Sequence, residues 1–223
     1  MTADSGGAPT ESPVMNGWGL VALTGLCTAI EIILQLGDLG AFGIPRFRQL
    51  IYEYGGFWPG LLKDWKPNYA LQPATMFLTY GFLHAGLVHL VVNMIALFSL
   101  GRPVLERIGT PRALLLYVGA LLGGAIGFAL ISDSYRPMVG ASGALFGLAG
   151  ALLAWDLRDR VVLQEQVWPV ARGALLLAAM NVALYYATGG LLAWEAHLGG
   201  FVAGTLLALV INRRATPDDR HDD

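Results

Sequence analysis

Ser142 lies between two glycines in the stretch Gly140-Ala141-Ser142-Gly143, at the head of an apolar, helix-like run. His197 stands in a second apolar run, Ala196-His197-Leu198-Gly199-Gly200. Serine becomes a nucleophile at neutral pH only with a general base beside it, and histidine is the usual one. An ionisable side chain inside a segment greasy enough to cross a bilayer marks a functional site by default. A third run carries His89 and Asn93, four residues apart and so on one helical face. Both can donate hydrogen bonds to a developing oxyanion. Backbone N–H groups at the start of the Ser142 helix have no intrahelical acceptor and could join them. Gly140 and Gly143 would let a substrate carbonyl approach that backbone closely. Together these residues point to hydrolysis of a peptide bond inside a membrane. Glu195, two positions from His197, faces another side of its helix, so a Ser142–His197 dyad is the economical proposal.

Composition agrees with a membrane setting. Of 223 residues, 55% are hydrophobic and 13% charged, where soluble domains carry roughly a quarter charged residues. Mean hydropathy is +0.56. The 29 glycines fall largely in apolar runs, as where membrane helices pack backbone to backbone. A net charge of −2 gives no basic footprint for nucleic acid. The single cysteine, Cys27, excludes an intramolecular disulfide and a cysteine-based zinc cluster, and it reads as a small buried hydrophobe. The chemistry asks for no metal and no organic cofactor.

A helix needs about 20 apolar residues to cross the bilayer, and six such spans are predicted, making an all-α polytopic bundle. They cover 17–36, 84–102, 111–131, 140–156, 168–187 and 191–211, within one membrane domain at 17–211. Residues 1–16 hold Asp4 and Glu11 but no Lys or Arg, unlike a signal peptide, and read as a disordered tail. Residues 212–223 read as a second tail. The segment 37–83 is too long for a plain connector. Its Phe57, Trp58, Trp65 and Tyr69 suit the headgroup region, so it is expected to be a loop partly embedded beside the bundle.

Basic residues set the orientation. With both termini in the cytoplasm, Arg102, Arg107, Arg112, Arg158, Arg160, Arg172, Arg213, Arg214 and Arg220 lie inside. Outside are Arg46, Arg48, Lys63, Lys66 and Arg136, mostly in the long loop. Ser142, His197 and His89 then share one depth in the outer half of the bundle.

The chain resembles the rhomboid intramembrane serine proteases in Gly140-Ala141-Ser142-Gly143 with Phe146, in His89-x-x-x-Asn93-Met94 and in Ala196-His197-x-x-Gly200-x-x-x-Gly204. It is also similar in Phe82-Leu83-His84 and in Glu106 followed by Gly109. The motifs and span order cover about 75–210. The resemblance implies Ser142 as nucleophile, His197 as base, and His89, Asn93 and the Ser142 backbone around the oxyanion. It implies Phe146 packed on the catalytic histidine, and Gly200 and Gly204 as small residues that bring the sixth span close to the fourth. Its partners would be transmembrane protein substrates and the bilayer itself, and a bacterial inner membrane fits the compact six-span form. The nearest match to the family's Trp-Arg pair in the first loop is Trp65-Lys66. Catalytically silent relatives that bind or traffic membrane proteins are the rival class, but they typically lack the serine or the histidine. A channel or transporter would line both halves of the bundle with polar groups. Glycine-rich packing fits a monomer and an oligomer equally. Glu31, inside the first span, is expected to make a structural hydrogen bond or pair with a neighbouring span. Glu106 is expected to pair with Arg102 or Arg107, and His84 to be a loop-structure residue or else to have a minor role near the site.

Overall fold

The computed structural model describes residues 17–211, and both predicted tails lie outside them. The described chain is helical, with α1 at Trp18–Asp38, α2 at Phe47–Gly55, α3 at Gln72–Thr79, α4 at Leu87–Ile131, α5 at Ser142–Val162, α6 at Trp168–Ala187 and α7 at Trp194–Ile211. Two 3-10 turns, Pro59–Leu62 and Tyr80–Phe82, flank α3. No strand occurs among the described residues, only a lone antiparallel bridge between Phe57 and Met138. This is the expected outcome where no water reaches the backbone, because a helix satisfies its own N–H and C=O groups. Among the described residues, four helices are long and apolar enough to cross a membrane: α1, α4, α6 and α7. The charges that close α5, Asp156, Arg158, Asp159 and Arg160, lie in its last turns.

α4 runs for 45 residues but is broken at Gly109, where φ is 74° and ψ 165°. Only glycine adopts that region readily. Pro111, two residues on, supplies no N–H to restart the ladder. Gly101, Val104 and Leu105 line one small cavity against α1 together with Ala113, Leu114 and Tyr117, so the two halves of α4 fold back beside each other. The predicted connector between 102 and 111 is therefore helical almost throughout, and the turn is made at one residue. The helix runs through Pro103, and no glycine lies between Gly101 and Gly109 to break it earlier.

α7 packs on α4 and α5 through small residues. Gly199 faces Gly123 and Gly127 in the second half of α4, while Gly200 and Gly204 face Gly143 and Gly147 in α5. A Cβ built on Gly200 would collide with the Gly143 carbonyl, and one on Gly204 with the Gly147 carbonyl. Helices with no hydrophobic drive between them gain association from such close packing. α6 is different: Val170 is its one buried residue.

The segment 37–83 is no simple loop, since it folds into α2, α3 and the two turns. Its anchor is Arg48, and Trp65-Lys66, the nearest match to the family's Trp-Arg pair, takes no part in it. The Arg48 guanidinium donates to both carboxylate oxygens of Glu31, at 2.9 and 3.0 Å, to Asp38 at 2.6 Å and to the His84 carbonyl at 2.8 Å. Tyr52 Oη donates to the same carbonyl at 2.7 Å. Burial alone would lower the Arg48 pKa, but the hydrogen bonds to Glu31, Tyr52 and Asp38 outweigh it and raise it. Glu31, fully buried, thus has a partner from outside its own helix. Trp65 packs instead beside Trp58 and Tyr135. The expected Glu106 pair is not the one formed by Arg107, which donates twice to Asp159 on α5, at 2.9 and 3.1 Å, and lies over the Trp155 ring. Adjacent helical residues point to different sides, which leaves Glu106 on the exposed face.

Candidate active site

The site is built where α5 begins. Gly140 has φ of 124°, a backbone conformation that a side chain would strain, and its N–H donates to the Tyr80 carbonyl at 3.0 Å. A Cβ at Gly140 would meet the His89 ring at 2.7 Å. Glycine is required here twice over, once for the turn and once for the imidazole lying against it. The turn delivers Ser142 to the first position of α5, where the N–H groups of the opening turn precede the first helical acceptor.

α7 meets this turn through its glycines and carries His197, which is 3% exposed. His197 Nε2 lies 2.8 Å from Ser142 Oγ. The Phe146 ring, one turn along α5 from Ser142, stacks on the imidazole with centroids 4.1 Å apart and planes 8° from parallel. The second ring nitrogen, His197 Nδ1, lies 2.7 Å from Asn181 Oδ1 on α6. An amide oxygen only accepts, so Nδ1 carries the proton and Nε2 presents its lone pair to the serine hydroxyl. Ser142, His197, Phe146 and Asn181 form one connected group from three helices. Sequence reasoning missed Asn181, although one signal was present: it is the single side-chain amide in the apolar helix α6, and such a group needs a partner in a membrane.

His89 and Asn93 lie on the facing helix α4. His89 Nδ1 accepts the Ala85 N–H at 3.1 Å, so the neutral ring carries its proton on Nε2, the atom beside Gly140. Asn93 is deeper and 4% exposed. Its amide donates to the His89 carbonyl at 2.8 Å, which occupies one of its two N–H groups, and its Oδ1 has no protein partner. His84, also buried, packs edge-on against His89 with centroids 5.3 Å apart. The arrangement places a serine hydroxyl against an imidazole nitrogen, with N–H groups of His89 and Asn93 on the facing helix. Among the described residues no group of three or more His, Cys, Asp or Glu side chains is arranged to hold a metal ion.

Comparison with known proteins adds an independent line. The family model described as Rhomboid domain matches residues 72–214. The chain is 36% identical over 131 residues to RHOMBOID-like protein 5 of Arabidopsis thaliana, covering 58% of this chain and 41% of that protein. It is 33% identical over 151 residues to RHOMBOID-like protein 6, mitochondrial, from the same plant, covering 66% and 47%. It is 32% identical over 129 residues to Rhomboid protease GluP of Bacillus subtilis, covering 58% and 24%. The chain thus spans less than half the length of these relatives.

Proposed function

The chain belongs to the rhomboid family and is an integral membrane protein, and from that premise we propose that it is an intramembrane serine endopeptidase. It hydrolyses peptide bonds in or near transmembrane segments of other membrane proteins. The observation that carries this reading is the 2.8 Å approach of His197 Nε2 to Ser142 Oγ, under the Phe146 ring. Ser142 Oγ attacks the scissile carbonyl while His197 takes its proton. The charge on the carbonyl oxygen is met by the Ser142 N–H, His89 Nε2–H and the second N–H of Asn93, with the His89 ring brought close by the missing side chain at Gly140. His197 then gives the proton to the leaving amine, and water attacks the acyl-enzyme with His197 again as base.

Six crossings complete the proposal: α1, the two halves of α4, α5, α6 and α7. Arginine placement supports a topology with both termini in the cytoplasm and Ser142 near the outer face, and the inner bacterial membrane is the proposed compartment. GluP, named a rhomboid protease, supports the enzyme reading over a silent membrane-protein binder. A serine-directed fluorophosphonate should label the wild-type chain and not Ser142→Ala, and only the wild type should cleave a transmembrane reporter. A wild type that neither labels nor cleaves leaves the silent-binder reading standing.

A further inference from the structure

Asn181 is the one polar contact by which the sparsely packed helix α6 reaches the site. Resting on the protease reading above, we propose that Asn181 is a positioning residue that holds the tautomer and tilt of His197 from behind the Ser142–His197 dyad. The alternative is interhelical glue, the ordinary use of an asparagine in a membrane helix. Geometry separates the two. The amide oxygen lies 2.7 Å from Nδ1 of the imidazole, at the ring nitrogen opposite the one that makes the 2.8 Å contact to Ser142. With Oδ1 toward the ring, Nδ1 must hold the proton and Nε2 is left free to accept from serine. With the amide turned over, Nδ2 would donate to Nδ1 and the proton would sit on Nε2, where it abolishes the base. With Oδ1 toward the ring, as in the structure, the amide favours the tautomer in which Nε2 serves as the base.

The same bond acts during the reaction. When His197 takes the serine proton the ring becomes cationic, and an Nδ1–H bond to a fixed amide dipole strengthens at that moment. An interaction stronger in the transition state than before it raises kcat and leaves substrate binding alone. Phe146 holds the plane of the ring from one face, but a stacked ring can still rotate in that plane. Asn181 removes the remaining freedom. Tyr185, Tyr186 and Trp194 line a groove of about 210 Å³ beside Asn181, so a role in binding substrate there is the competing assignment that kinetics must separate.

The test uses the full chain, purified and reconstituted, with a transmembrane reporter and three forms: wild type, Asn181→Leu and Asn181→Asp. Leucine has no acceptor; aspartate is nearly isosteric and keeps one. Asn181→Leu should lose kcat by roughly 10- to 100-fold, the range for one hydrogen bond to a developing charge, with KM within about twofold. Asn181→Asp should recover most of that loss. Nitrogen-15 spectra of His197 should show the proton on Nδ1 in wild type and Asn181→Asp, and a mixture or Nε2 in Asn181→Leu. Wild-type kcat in Asn181→Leu, a change in KM alone, or an Asp form as impaired as Leu at an unchanged melting temperature would each overturn the assignment. The spectra do not depend on turnover, so a chain that holds the Nδ1 proton yet cleaves nothing refutes the protease reading separately.

Discussion

At the residue scale, the two sides of the site make different demands on their side chains. Ser142 and His197 act as a unit, so Ser142→Ala and His197→Ala should each abolish reporter cleavage, and the double variant should be no worse than either single one. Kinetics of the three forms checks this, and additive losses would argue against the pairing. The donor wall is graded instead. Removal of one oxyanion donor costs on the order of 10²–10³ in rate. His89→Ala should reach that range, because its Nε2–H lies beside Gly140 with Nδ1 already pinned by the Ala85 N–H. Asn93→Ala should cost less, since one of its N–H groups already serves the His89 carbonyl and its loss acts partly through the tilt of His89. Comparing kcat for the two variants orders the donors.

At the element scale, the site exists because α5 and α7 touch through glycine. Gly200→Val would drive a branched side chain into the Gly143 carbonyl, one residue from Ser142. Displacement of about 1 Å at a catalytic geometry can cost on the order of 100-fold, so cleavage and the melting temperature in detergent should fall together. The segment ahead of α4 is held differently, by charge. Arg48→Ala would leave Glu31 fully buried with its guanidinium gone, and truncating one side of such a pair typically costs about 3–5 kcal/mol. A lowered melting temperature, with the Glu31→Gln, Arg48→Ala double variant less destabilised than the sum of the singles, is the expected pattern.

At the scale of the whole molecule, the outer surface is apolar over much of α1, α4, α6 and α7, with Val88, Leu130, Leu175 and Val210 all well exposed. Such a surface is stable only against lipid, and it leaves orientation to the connectors. The bend between α4 and α5 exposes Asp133, and the turn after α5 exposes Gln164. Cys27 is buried and gives little background to a thiol reagent. Asp133→Cys should therefore react with a membrane-impermeant maleimide in intact cells, and Gln164→Cys only after lysis. The reverse pattern would invert the proposed topology.

The amino-acid sequence alone determined where the apolar helices run, because hydropathy over about 20 residues is a local property; α6 coincides with the predicted 168–187. It also singled out Ser142, His197, His89 and Asn93, because polar chemistry stands out in greasy runs. Partners were another matter. Glu31 called for a counterpart, yet nothing near it in sequence indicated Arg48 on a helix within a segment read as loop. His197 called for an orienting group, and the search for a carboxylate passed over Asn181 on a neighbouring helix. The turn at Gly109 was blurred into a longer connector, because Pro103 and Pro111 look alike in sequence although the helix runs through the first. A buried polar group draws its partner from any part of the chain that packing brings within about 3 Å, so that pairing is decided by helix–helix contact and not by sequence distance. The glycines that bring α7 onto α5 and α4 made that decision here.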